Sequence, residues 1–149
     1  MDDPRPVASV EALYGTWKLV SWTRRLVDTG ETVEAFGRMP RALLHYSRDG
    51  HVFWVMSAES RAKPGDLTKL SEADRAKLYD TMVAYAGTFT FDGGAATHHV
   101  EVAWNEIWTG TAQVRNLRFE GDRLIMTTNP QPGIDGRRSA SVFVWQRPG

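Results

Sequence analysis

The sequence predicts an all-β, mainly antiparallel fold: an eight-stranded up-and-down barrel with one helix, about residues 71–86, covering a mouth or flank. Three observations support it. About eight β-rich runs recur between turn signals, and only one stretch changes to a helical period. No βαβ alternation is present, so a parallel sheet is disfavoured. The first run opens with Gly15-Thr16-Trp17-Lys18-Leu19 and the last ends on Trp145-Gln146-Arg147. A barrel that closes on itself brings such first and last strands together. A β-sandwich is the competing arrangement.

The elements follow in order. Tyr14 to Val27 is long enough to bend and ends at an Asp28-Thr29-Gly30 turn. Ala42 to Ser47 and His51 to Ser57 flank Arg48-Asp49-Gly50, whose Asp-Gly pair is a hairpin signal. Ser71 then reads as an N-cap with Asp74 at the third helical position. Leu78, Met82 and Tyr85 share one helical face, and Gly87 is placed to end the helix. Four runs follow, Thr88 to Asp92, Ala96 to Asn105, Thr111 to Glu120 and Arg123 to Thr128. A loop from Asn129 to Gly136 leads into Ser139 to Arg147. Residues 1–12 form an N-terminal tail and 13–149 one barrel domain.

Composition narrows the function classes. The 149 residues are 42% apolar, with six Trp and six Phe for a core. Lys plus Arg and Asp plus Glu are 18 each, so no net field draws nucleic acid or an anionic membrane surface. The absence of cysteine removes disulfides, thiolate metal sites and a cysteine nucleophile. The Met1 to Pro6 start lacks an apolar run of signal-peptide type, which predicts a cytoplasmic protein. Zero net charge leaves homodimerisation open, although no heptad pattern supports it.

Six short motifs add a resemblance: Gly15 to Val20, Tyr46 to His51, Ala84 to Phe89, His98-His99-Val100-Glu101, the Trp108-Thr109-Gly110 block with Gln113 and Arg115, and Trp145-Gln146-Arg147. In order and spacing they resemble the bacterial and fungal lipocalin-like domain family, over roughly Leu13 to Arg147. The resemblance implies a small calycin-type barrel with an internal cavity, and a setting in secondary metabolism for some members. It implies little about chemistry.

Alternation indicates which side chains face that interior. Gln113, Arg115, Leu117 and Phe119 share one face, and His98, Val100, Val102 and Trp104 another. Leu44, Tyr46, Val52, Trp54, Met56, Phe143 and Trp145 also read as inward. An inward Arg115 needs an acceptor, because an unpaired buried charge is costly. Two registers supply one. In the first, Glu101 lies opposite and forms a cross-strand ion pair of about 0.2–1 kcal/mol. A shift of one residue instead turns Arg115 toward His98 and a ligand. His98 is either a satisfied core histidine or a proton-transfer group. His45, Asp49 and His51 offer metal-ligand types, but a solvated hairpin tip suits their spacing better. Trp17 and Arg147 read as a cation–π plug at the barrel floor. The pairs Arg24-Arg25 and Arg137-Arg138 read as solvated surface.

The expected function is binding of a small hydrophobic or aromatic metabolite, without cofactor or metal. Its expected site comprises His98, Arg115, Gln113 and Tyr46 for the polar end, with Trp54, Trp104, Tyr85 and Phe143 as walls. The alternative is a cofactor-free cyclase, isomerase or dehydratase acting on a natural-product intermediate. There His98 moves a proton and Arg115 stabilises an oxyanion.

Overall fold

The computed structural model describes residues 3–133 and 135–149. Eight strands form the barrel wall: β1 (Gly15–Leu26), β2 (Arg41–Tyr46), β3 (His51–Ser57), β4 (Met82–Phe91), β5 (Ala95–Ala103), β6 (Ala112–Glu120), β7 (Arg123–Thr127) and β8 (Arg138–Gln146). Each pairs antiparallel with the next in sequence, and β8 returns to β1, so the wall is a closed up-and-down barrel. Short strands Thr32–Glu34 and Gln131–Pro132 extend it beside β1 and β8.

The two ends of the barrel differ. At one end the connections are tight: the turns at Arg48-Asp49-Gly50, Asp92-Gly93-Gly94 and Gly121-Asp122. This end is plugged. Trp17 is buried and donates from Nε1 to the Leu13 carbonyl (2.9 Å), while the Arg147 guanidinium lies 3.7 Å from its ring centroid. Arg147 also donates to the Thr16 and Ala12 carbonyls. The cation–π plug expected from the sequence is therefore present. Tail residues Pro4–Arg5 pair with the end of β6, and Val7 is buried.

Long connections, residues 27–40, 58–81, 104–111 and 128–137, gather at the opposite end. The helix α1 (Glu72–Asp80) lies there, between β3 and β4. Ser71 caps it by accepting from the Asp74 amide (3.1 Å). It buries none of its residues and is held at its C-terminal end, where Arg61 donates to Leu78 O and Trp104 Nε1 donates to Tyr79 O. It ends earlier than the expected 71–86. Met82 and Tyr85 belong to β4, and Tyr85 is buried inside the barrel. Gly87 does not end the helix. It lies within β4 at a bulge, where a side chain would collide with the His99 carbonyl.

Two bulges also reset the alternation. The irregularity between β4 and β5 gives Glu101 no partner and exposes Val102, which was expected to face inward with His98. The other lies between β8 and β1, where Val144 pairs with Ser21 and Trp145 with Leu19. Beyond it Trp22, Arg24 and Leu26 turn inward, so Arg24 is not solvated surface: it is only 7% exposed.

The core runs from the plug up to the cavity, whose walls include Trp54 and Met56. Leu44, Tyr46, Val52, Trp54, Met56 and Trp145, all inward by alternation, are essentially inaccessible. Burial of such side chains contributes about 1.5–3 kcal/mol each.

Candidate functional site

The β5–β6 register decides between the two readings of Arg115. His98 stands opposite Gln113 and Ala96 opposite Arg115. Glu101 lies beyond this ladder and is exposed, so the Glu101–Arg115 pair does not form. Arg115 points into the barrel, 3% exposed, on the face that carries His98. Its guanidinium lies 5.4 Å from the Trp54 ring centroid and adjoins the Tyr85 hydroxyl. Among the described residues Nε and Nη1 of Arg115 have no hydrogen-bond partner. Nor does Arg115 appear in any ion pair among those residues.

His98 is fully buried and held from both sides. Its Nε2 lies 2.7 Å from the Tyr46 hydroxyl and its Nδ1 2.6 Å from the Tyr85 hydroxyl. Burial, then the positive Arg115, push its pKa well below the usual 6.5, so the ring is neutral. Burial likewise raises both tyrosine hydroxyls above their ordinary value and keeps them protonated. A neutral imidazole has one donor and one acceptor nitrogen. One tyrosine therefore donates to it and the other accepts.

A narrow cavity of about 50 Å³ opens beside this cluster, toward the end with long connections. Arg115, Trp54 and Tyr85 form its deep end, Trp22 and Phe143 a wall, and Arg24 part of its outer rim. Trp22 and Phe143 stack (5.2 Å between centroids), and Phe143 meets the Trp54 ring edge-on at 4.9 Å. That volume holds a few waters, whereas drug-sized ligands occupy roughly 300–1,000 Å³. A larger groove of about 640 Å³ lies outside it, between the end of α1, the Trp104–Trp108 turn and the Pro132–Gly133 segment. Trp108, Pro132 and Gly133 line both spaces and form the partition between them.

The partition is anchored by Arg24. Its Nη1 and Nη2 donate to the Asp135 carboxylate at 2.9 and 2.8 Å, and Nε donates to Ser139 Oγ at 2.9 Å. These bonds from Arg24 hold the Asp135 carboxyl at a pKa of about 2. Gly133 packs directly on the guanidinium, where a side chain would clash.

Of the site residues read from the sequence, the fold brings together His98, Arg115, Tyr46, Trp54, Tyr85 and Phe143. Tyr46 and His98 lie behind the cavity and do not line it. Gln113 is half-buried and donates to Thr111 Oγ1 (2.9 Å), away from the cavity wall. Trp104 stands in the outer groove, against Trp108 (5.6 Å). The sequence reading missed Trp22, Arg24 and Asp135. Alternation of Trp22, Arg24 and Leu26 was the available signal. The His45, Asp49 and His51 side chains do not converge: His51 bonds Asp49, whereas His45 bonds Thr16.

A closed eight-stranded up-and-down barrel around an internal cavity is the lipocalin-like class of architecture, whose interior suits a ligand. The sequence profile of the family described as "Lipocalin-like domain" matches residues 14–148. The chain belongs to that family. A search of curated proteins found no match. No helix among the described residues is long and apolar enough to cross a membrane.

Proposed function

We infer that the protein binds a small hydrophobic or aromatic metabolite inside the barrel, its polar end fixed by Arg115. One observation carries the reading: a buried guanidinium with two unpartnered nitrogens stands at the bottom of an aromatic cavity. An isolated buried charge costs several kcal/mol, and a ligand oxygen would remove that cost. The ligand would extend past the Trp108 and Pro132–Gly133 partition into the outer groove, since the inner space is too small for it alone. A cytoplasmic setting within secondary metabolism belongs to this proposal.

Titration with neutral aromatic compounds, followed by tryptophan fluorescence, tests it. Saturable quenching at one site is expected, weakened in Arg115→Met for compounds bearing an acceptor oxygen. Absence of saturable binding by any aromatic compound would overturn it.

The enzymatic alternative draws on the contact between Tyr85 and His98. His98 does not line the cavity, so a proton exchanged with substrate would pass through the Tyr85 hydroxyl. An enzyme of this kind would lose rate in Tyr85→Phe while keeping binding.

A further inference from the structure

The side chains around the cavity show a one-sided imbalance of hydrogen-bonding groups. Four buried side-chain atoms among the described residues lack a partner: Nε and Nη1 of Arg115, and the indole nitrogens of Trp54 and Trp145. All four are donors. Arg115 and Trp54 line the cavity side by side, whereas Trp145 packs behind Trp54 at 5.1 Å and does not line it. Such atoms call for an acceptor that the protein itself does not provide.

Charge narrows the acceptor. The tyrosines and His98 around Arg115 are uncharged, and Arg24 is already neutralised by Asp135. The inner cavity thus carries one uncompensated positive charge. One negative charge balances it, whereas a dianion such as a phosphate monoester would leave an excess. Guanidinium donors match a carboxylate in shape as well as charge. The Trp22 and Phe143 rings, packed on each other, make one wall of the cavity aromatic, which suits an aromatic and hence planar body.

We propose that the ligand is a planar monocarboxylate, seated against both the Arg115 guanidinium and the adjoining Tyr85 hydroxyl, with His98 and Tyr46 orienting that hydroxyl. The proposal rests on the binding function above and specifies its ligand. Two hydrogen-bond directions are open to the Tyr46–His98–Tyr85 chain. In one, Tyr85 donates to Nδ1, Nε2–H donates to Tyr46, and the Tyr85 oxygen turns a lone pair toward Arg115. In the other, Tyr46 donates to Nε2, Nδ1–H donates to Tyr85, and the Tyr85 O–H is free to donate into the cavity. A carboxylate selects the second. Both states carry the same number of hydrogens and differ only in which ring nitrogen bears one and in how the two tyrosine O–H bonds point. His98 is thus a positioning residue, and Tyr85 a ligand-contacting one.

The test uses the full chain at neutral pH with cinnamate and its neutral isostere cinnamamide, followed by calorimetry. Cinnamate should bind about tenfold tighter or better, the size expected for a hydrogen bond to a charged group. Arg115→Gln should abolish that preference, and Tyr85→Phe should reduce it. Nitrogen-15 spectra of His98 in the cinnamate complex should show the Nδ1–H tautomer, a readout that simple loss of packing would not produce. Equal binding of acid and amide, or a preference that survives Arg115→Gln, would overturn the carboxylate while leaving cavity binding intact. An Nε2–H tautomer in the complex would overturn the relay. Failure of both compounds, together with every neutral aromatic compound, would remove the binding function and this inference with it.

Discussion

Replacing Arg115 by methionine separates what the residue does for the fold from what it does for a ligand. The side chain is buried with no counter-ion among the described residues, so an apolar group of similar length should stabilise the ligand-free protein by about 1–4 kcal/mol. Urea denaturation would show a higher midpoint with unchanged slope, alongside weaker ligand binding. A lower midpoint would mean that the guanidinium supports the fold. His98 gives the complementary pH signature. Its folded pKa lies below the unfolded value of 6.5, so the unfolded chain binds the extra proton first as pH falls. Its contribution to stability is complete above pH 6.5 and is lost as pH drops from there toward the lowered folded value. His98→Gln should flatten that part of the stability profile, as measured by chemical denaturation at a series of pH values.

Single elements show what the sequence revealed and what it concealed. Strands β2 and β3 were legible because their inward residues are apolar throughout, as in Val52, Trp54 and Met56, whereas in β6 and β8 the face was given by the last two inward residues, Leu117 and Phe119 or Phe143 and Trp145. The helix end was not. Leu78, Met82 and Tyr85 fit a helical face, yet Val83 and Tyr85 equally fit alternation, and burial of Tyr85 against His98 decided for the strand. Arg24 and Val102 were misplaced because a bulge inverts every later side chain; for Arg24 only its alternation with Trp22 and Leu26 announced this. Gly87 was the overlooked sign. Gly87→Ala should cost about 1–3 kcal/mol through collision with the His99 carbonyl, read as a lower denaturation midpoint. At the partition, Asp135→Asn should weaken the Arg24 anchor and speed proteolysis near Pro132 and Gly133. In the native sequence that anchor survives moderate acid: Asp135 is held at about 2, so its contribution persists above pH 3.8 and fades only as pH falls through that lower value.

For the whole molecule, the division between a plugged end and an end of long connections was partly legible. Trp17 and Arg147 could be paired from the sequence because closure requires their strands to meet. The cavity could not be sized, since its volume depends on how the Trp108 turn and Pro132–Gly133 fold across the opening. Arg147→Ala removes a cation–π contact and two carbonyl hydrogen bonds at an exposed site, for a loss of about 1 kcal/mol. Ligand affinity should be unchanged in that variant, because the plug and the cavity lie at opposite ends.

The seam between β1 and β8 also bears on how the chain is made. During synthesis the strand Arg138–Gln146 leaves the ribosome after the other seven wall strands, so β1 and β7 both wait with unpaired edges until it arrives. No shorter nascent chain can close the barrel. The final nine-residue strand is therefore the step at which an aggregation-prone open sheet becomes a protein with no free edge in its wall.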